Sequence, residues 1–417
     1  MIKSFNTVLS QKAKEPRLKQ SFVMVSVLLA TLSLLVSLQG ITSDQSDVGL
    51  NTVEMIENHG YPCENHYITT EDGYILTYQR IPHGKNDDGS GQKPVVLLMH
   101  GLLSSSADYV NMGPDRSLAY LLSDIGYDVW LGNSRGNAWS RNHTDPEVLA
   151  DAEKFYDFTW HEIGYYDLPA AIDHILEMTG NDGLYYVGHS QGCTSFMVMG
   201  STKPEYNDKI KLASLMGPAG FMEHQSSSLL KVLGNHINEI EKLMKKYKFF
   251  ELPDPKLLQQ LAFGLCTVPE NYQLCVNFLA VVDGEDSAQL QQEDFALILS
   301  NAPSNAGSKQ FIHYGQQIKN GGFLWYDYGS EQNLELYGSE TPPAYDLSKI
   351  TAPVAAYYGK NDHLVYAEDA KTVVKSVSNV VNDYEIPYEL FDHLDFIFAK
   401  DVVDLLYVEL IKTMQAY

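Results

Sequence analysis

The chain has 417 residues, 44% of them hydrophobic, and carries 53 acidic against 29 basic side chains for a formal net charge of −24. That is enough apolar material for one large α/β domain with an insertion, or for two smaller domains. The acidic balance argues against nucleic acid as a partner, because few cations are available to neutralise phosphates.

The exception to that balance comes first in the chain. Lys3, Lys12, Lys14, Arg17 and Lys19 precede an almost uninterrupted apolar run from Phe22 to Leu38, and the small and polar "QGITSDQSD" follows. A run with no polar face makes a poor core helix. Residues 1–43 therefore read as a targeting segment, either a cleaved secretory signal peptide or an uncleaved signal-anchor. The run falls a little short of the roughly 20 residues of a spanning helix, which favours the signal peptide. No clear small-x-small pair marks a cleavage point, which keeps the anchor open. Basic residues before the run hold that end in the cytosol, so both readings send the rest into the secretory pathway.

Residues 44–220 alternate between strand and helix patterns. "HYITTEDGYILTYQRIP" reads as a hairpin around Glu71-Asp72-Gly73. "PVVLLMHGLL" is a continuous apolar strand running into a glycine loop, as in a sheet covered on both faces. There follow "SLAYLLSDIG" as helix, "YDVWLGNSRG" as strand, "DLPAAIDHILEMTG" as helix and "LYYVGHS" as strand. "CTSFMVMGST" as helix and "IKLASLMGPAG" as strand complete the series. Such alternation predicts βαβ units and one mostly parallel sheet.

The alternation stops after Gly220. Residues 221–345 carry helical stripes, best seen in Leu229, Leu233, Ile237, Ile240, Met244 and Tyr247, and read as a helical insertion. The α/β pattern returns over 346–417 with "APVAAYYGKNDHLV" and "YEIPYELFDHLDF" as strands and a last helix from Val402 to Met414. Cys266 and Cys275 bracket a short segment compatible with a disulfide, with two free buried thiols as the alternative. Cys63 and Cys193 look unpaired, and no metal-ligand spacing appears. Asn142-His143-Thr144 is a glycosylation sequon.

The chemistry points to Gly188-His189-Ser190-Gln191-Gly192. A strand that stops at Val187 and a helix that starts near Gln191 leave Ser190 on a tight turn, its hydroxyl projecting above the sheet. An ordinary Gly/Ser turn also fits a pattern this common. The apolar strand before it and the small-residue helix after it favour a nucleophile. A serine needs a base, an oriented base needs an acid, and an oxyanion needs donors. On such a fold the partners follow in the order serine, acid, histidine. Asp362 closes "VAAYYGKND" and His393 closes "YELFDHLDF". His363 is the rival base and Asp392 and Asp395 the rival acids. His363 shares the loop of Asp362, and the two aspartates flank His393 too closely to reach Nδ1 easily. "HGLL", His100 to Leu103, follows a buried strand where one oxyanion amide is expected, and the amide of Gln191 at a helix N-terminus supplies the other. No metal or organic cofactor is required.

These residues resemble the acid lipases, the gastric and lysosomal type within the α/β-hydrolase superfamily. The resemblance rests on "HGYPCENHYITTEDGYILTYQRIPHGK", "HGLL", "DVWLGNSRGNAWSRNH", "YYDLPAAIDHI", "YYVGHSQG", "HYGQQIKNGGFLWYDYGS" and "DHLDFIF", and runs from about Thr52 to Met414. It implies an α/β-hydrolase fold with a helical cap and movable lid, and hydrolysis of triacylglycerols, cholesteryl esters or related lipid esters at a lipid–water interface. It further implies Ser190 as nucleophile, Asp362 and His393 as its partners, and the Leu102 and Gln191 amides as oxyanion hole. A Cys266–Cys275 disulfide and a secreted or lysosomal location follow from it too. The basic extension before Phe22 departs from the family, and the insertion matches it least. A thioesterase, peptidase or small-ester carboxylesterase would use the same site. A non-catalytic lipid carrier would most simply show itself by loss of Ser190, Asp362 or His393, and all three are present.

Overall fold

A computed structural model describes residues 47–417, except 226–227, 253–254, 272, 278–283 and 285–287. The basic and apolar segment read as a targeting signal lies outside the described residues. Among the described residues no helix is long and apolar enough to cross a membrane.

The periodicity of the first half is reproduced in space. β1 (Glu64–Thr69) and β2 (Tyr74–Ile81) form the antiparallel hairpin, and β3 (Val95–Met99) has all five residues buried. Helix α1 (Leu118–Asp124) leads to β4 (Asp128–Leu131), and β5 (Asn142–His143) is a short strand beside β2. Helix α2 (Leu168–Thr179), β6 (Leu184–His189), α3 (Gln191–Thr202) and β7 (Ile210–Met216) follow. The chain later returns as β8 (Val354–Tyr358), α10 (Ala367–Ser376), β9 (Val380–Glu385) and α11 (Val408–Gln415). The sheet order is β1-β2-β4-β3-β6-β7-β8-β9, with β5 beside β2. From β4 to β9 every pairing is parallel. This is a mostly parallel α/β-hydrolase sheet. β3, β6, β7 and β8 lie at its centre, which is why they read as unbroken apolar runs.

Between β7 and β8 the described chain adds no strand to this sheet. It forms α4 (Ser228–Asn235), α5 (Ile237–Tyr247), α6 (Pro255–Cys266), α7 (Phe295–Asn301), α8 (Ser308–Asn320) and α9 (Ser330–Tyr337). The helical stripes read from Leu229 to Tyr247 fall on two helices separated at His236, after Gly234 and Asn235, both weak helix formers. Cys266 and Cys275 are joined in a disulfide, with their Cα atoms 5.8 Å apart. Cys63 and Cys193 are free.

One strand differs from expectation. The run "YEIPYELFDHLDF" was expected to carry a strand up to His393, but β9 lies earlier and ends at Glu385. Ile386 still donates its amide to the Tyr358 carbonyl at 2.9 Å. Pro387 has no amide to continue the ladder, so the chain leaves the sheet there. His393 stands on a loop beyond that point. The last helix also opens with a π-turn, Val403–Tyr407, before α11.

Candidate active site

Ser190 sits where β6 turns into α3, with φ 54° and ψ −114°. A non-glycine residue in that region is strained, and such strain gathers at functional sites. Its amide donates to the Met216 carbonyl at 2.9 Å, tying the turn to the end of β7. The second glycine of the motif has a packing reason. A Cβ on Gly192 would stand 2.3 Å from the Met99 carbonyl oxygen, so only glycine lets α3 descend onto the end of β3.

The loop after β3 lies against this turn. A Cβ on Gly101 would fall 3.2 Å from Ser190 Cβ. Leu102 follows, and Leu103 has φ 62°, a second strained residue. His100 holds this loop in place. Its Nδ1–H donates to the Gly101 carbonyl at 2.7 Å, and its Nε2 accepts from the Ser134 amide and from Asn137 Nδ2, both at 3.2 Å. Burial keeps this imidazole neutral and pushes its pKa down to about 4. The Gln191 amide lies at the N-terminus of α3, where helix amides lack intrahelical acceptors.

Asp362 and His393 meet through loops that the sheet brings side by side. His393 Nδ1 donates to Asp362 Oδ2 at 2.7 Å, with both side chains almost wholly buried. The other carboxylate oxygen, Oδ1, accepts from the amides of Leu364 and Val365 at 2.9 and 2.7 Å. With Nδ1 as donor, Nε2 is left with its lone pair, the form a general base requires. The loops are stitched by Asn361, whose Nδ2 donates to the Leu390 carbonyl at 3.0 Å. The rivals are occupied elsewhere. The His363 ring stacks on Tyr366 at 5.8 Å. Asp392 Oδ1 accepts from the amides of Leu394 and Asp395, and Asp395 Oδ2 from the amide of Asp392, so both carboxylates shape the loop.

Ser190, His393 and Leu102 line one cavity of about 630 Å³. Its remaining wall is largely hydrocarbon. Leu233, Ile237, Ile240 and Met244 come from α4 and α5, and Phe295, Ile298 and Leu299 from α7. Ser104, His189 and Tyr314 add polar groups, and Asp108 adds a buried carboxyl whose pKa burial raises to about 7. Asn142, the sequon residue, is exposed on β5, well apart in sequence from these loops. Among the described residues no group of three or more His, Cys, Asp or Glu side chains could hold a metal ion.

A model described as "Partial alpha/beta-hydrolase lipase region" matches residues 52–113, and one for the alpha/beta hydrolase fold matches residues 94–248. The chain is 40% identical over 366 residues to Lipase 3 of Drosophila melanogaster, covering 87% of this chain and 92% of that protein. It is 38% identical over 371 residues to the gastric triacylglycerol lipase of Rattus norvegicus, covering 88% and 92%. The chain belongs to the acid lipase family. Among solved structures, a putative lipase from Sulfolobus solfataricus matches with a TM-score of 0.56 at 13% identity, covering 85% of this chain and 94% of that one. At that identity the likeness shows the α/β-hydrolase fold alone.

Several residues of this acid lipase site escaped the sequence reading. His189, inside the Gly-x-Ser-x-Gly motif, is buried and donates Nε2–H to the His393 carbonyl at 3.1 Å. Burial, seconded by the charge of His393, drives its pKa well below the ordinary value. It buttresses the His393 loop, with the two rings 4.8 Å apart, centre to centre. Gln191 Nε2 donates to Gln310 Oε1 at 2.7 Å, both side chains buried, which joins the start of α3 to α8. Arg135 is buried between Asp72 and Asp167 and packs 4.0 Å from the centre of the Tyr74 ring. Next to it, Asn133 Oδ1 accepts from the Ser106 amide at 3.0 Å, bracing the loop that follows β3. The stretch "YDVWLGNSRG" reads as a strand in the sequence, and the part that "NSRGN" plays beneath "HGLL" depends on contacts across the sheet.

Proposed function

We propose that this protein is a secretory-pathway lipase that hydrolyses carboxylic esters of lipids, triacylglycerols or cholesteryl esters, through an acyl-enzyme. The observation that carries the reading is the Asp362–His393 hydrogen bond, with His393 and the strained Ser190 lining the same largely hydrocarbon cavity. Ser190 Oγ attacks the ester carbonyl carbon while His393 Nε2 takes its proton. Asp362 holds the imidazole by Nδ1 and offsets the charge of the imidazolium. The amides of Leu102 and Gln191 receive the oxyanion, aimed by the loop that His100 fixes and by the helix start at Ser190. The alcohol leaves with the proton from Nε2. Water then gives a proton to His393 Nε2 as its oxygen attacks the acyl carbon, and His393 returns that proton to Ser190 Oγ as the acyl–oxygen bond breaks and the acid leaves.

Residues 221–345 act as a cap over this site, inserted between core segments 44–220 and 346–417, and the apolar face of α4 and α5 holds the acyl chain. A movable lid and activity at a lipid–water interface belong to the same reading. Membership of the acid lipase family supports it, as does the naming of relatives as lipases. Cleavage after the Phe22–Leu38 run, glycosylation at Asn142 and export to the cell exterior or the lysosome complete it.

The test is a single variant on a panel of substrates. Ser190→Ala should lose ester hydrolysis by several orders of magnitude while remaining folded, and only the parent should take a serine-reactive fluorophosphonate. Rates on triacylglycerol, cholesteryl ester and a short soluble ester then rank the substrates. Turnover retained by a folded Ser190→Ala protein overturns the mechanism, and hydrolysis confined to the short ester overturns the lipid substrate.

A further inference from the structure

The outer side of the cavity roof carries charge of the opposite sign to the chain. Lys231 lies on α4, and Lys242, Lys245, Lys246 and Lys248 lie on α5 and its exit, against Glu239 and Glu241, in a chain of net charge −24. Glu241 is engaged by Lys245 Nζ at 2.6 Å and by the Tyr326 hydroxyl at 2.9 Å. That leaves Glu239 on this helix beside Lys242, Lys246 and Lys248, all of them exposed. At 3.6 residues per turn, Ile237, Ile240 and Met244 share the side that lines the cavity, and Lys242 and Lys246 stand on the opposite side. Along the flank of α5 and just past its end, Leu243, Tyr247 and Phe249 are 51%, 54% and 53% exposed. Isolated exposed apolar side chains are ordinary. Three together beside a lysine ridge make the basic, amphipathic surface that lies on an anionic membrane, lysine stems along the acyl boundary and ammonium groups among the headgroups.

We propose that this face docks the protein on an anionic lipid surface, with Lys242, Lys246 and Lys248 meeting the headgroups while Leu243, Tyr247 and Phe249 enter the acyl boundary. The inference rests on the lipid-ester reading for its substrate. Charge complementarity selects the partner. A strongly acidic protein is repelled by an anionic surface in most orientations and is drawn to it with this face first. That same face covers the cavity, so the orientation that binds also brings the site to the lipid. Ester hydrolysis leaves carboxylic acid behind, and its ionised form makes the surface more anionic, so product formation strengthens retention.

The test uses the full-length chain with Ser190→Ala, so that no lipid is consumed, with and without Lys242→Gln and Lys246→Gln. Both proteins are floated with vesicles of phosphatidylcholine alone and of phosphatidylcholine mixed with phosphatidylglycerol. The N-terminal basic segment is common to both proteins and cancels in the comparison. The parent should prefer the mixed vesicles, more weakly as salt rises. The double variant should bind them about 30-fold more weakly, about fivefold per lysine, with little change on neutral vesicles. Equal affinity of the two proteins for mixed vesicles overturns the proposal. So does tighter binding of the parent to soluble polyglutamate than to mixed vesicles, which makes an acidic polypeptide the partner. With Ser190 restored, the lysine variant should cleave a short soluble ester at the parental rate and a long-chain ester on anionic vesicles more slowly. A parent that binds anionic vesicles yet cleaves neither ester overturns the ester reading and leaves the docking face intact. Normal cleavage of both esters by the lysine variant overturns the docking face alone.

Discussion

Beneath the cavity, β3, β6, β7 and β8 present side chains almost wholly shut off from solvent, whereas above it α4 and α5 leave Val232, Leu243 and Tyr247 more than half exposed. The groups proposed for chemistry, Ser190, Asp362 and His393, all stand on the lower part, at the ends of central strands or on loops hydrogen-bonded to them. The roof contributes Leu233, Ile237, Ile240 and Met244, which are hydrocarbon. The two regions answer different demands. Proton transfer and oxyanion binding need atoms held to a fraction of an ångström, which a close-packed sheet provides. Accommodating a long acyl chain needs only apolar surface, which helices can offer while still exchanging contacts with solvent or lipid. The regions touch at the site through hydrogen bonds from Gln191 Nε2 to Gln310 Oε1 at 2.7 Å and from the Ser304 amide to the Leu103 carbonyl at 2.7 Å.

The largest effects should come from breaking the lower part. His393→Ala should lower kcat by several orders of magnitude on short and long esters alike, and Asp362→Asn by about 10⁴-fold or somewhat less. His363→Ala should be mild, and steady-state kinetics on a short soluble ester ranks the three. A dead His363→Ala with an active His393→Ala would reassign the base. Gln310→Ala comes next, because it frees the residue whose amide is proposed as an oxyanion donor. We expect a loss of 10- to 100-fold in kcat with KM nearly unchanged, below the full cost of losing a donor. A change in KM alone would make this contact part of substrate binding.

Ile240→Ser should separate the regions most clearly. It removes apolar surface from the roof and should reduce kcat/KM for a long-chain ester by about 10-fold, at about 1.5 kcal/mol of lost burial, with the short ester unaffected. Equal losses on both would show that the roof also shapes the catalytic geometry. Asp108 offers a pH test. Its folded pKa of about 7 lies above the ordinary carboxyl value, so the native chain holds a proton that the unfolded chain releases across that interval. The linkage sign makes the group cost stability as pH rises from about 4 to about 7, by at most about 4 kcal/mol. Asp108→Asn should flatten that decline in thermal unfolding scans, and an unchanged slope would show that other groups set it. Smallest on the site is loss of the Cys266–Cys275 bridge. Replacing both by serine should destabilise the helices it joins by about 2–3 kcal/mol while sparing the short-ester rate.

Local order in the chain carried much of this protein. The alternation of apolar runs and helical stripes determined the α/β class. Gly188 to Gly192, between a strand and a helix, located Ser190, because a tight turn is a property of a few consecutive residues. Strand order and loop position proposed Asp362 and His393 as partners, and the packed loops join the two by a hydrogen bond, although the strand before His393 was placed too late. Pro387 was visible in the sequence, but its effect depended on knowing which amides the neighbouring strand required. Tertiary structure alone decided the rest. Gln191 and Gln310 are 119 residues apart, His189 and His393 are 204 apart, and Asp72 reaches Arg135 across 63. Such pairs leave no period to read, since their meeting depends on which strands become neighbours and how closely helices pack on them. The same holds for the inner and outer sides of α5. Its stripe announced an apolar face, and only the packed molecule determined that this face would close a cavity over Ser190 and turn the lysines outward. Hydrophobic periodicity specifies that a face must be covered, and the covering surface is set by the whole chain.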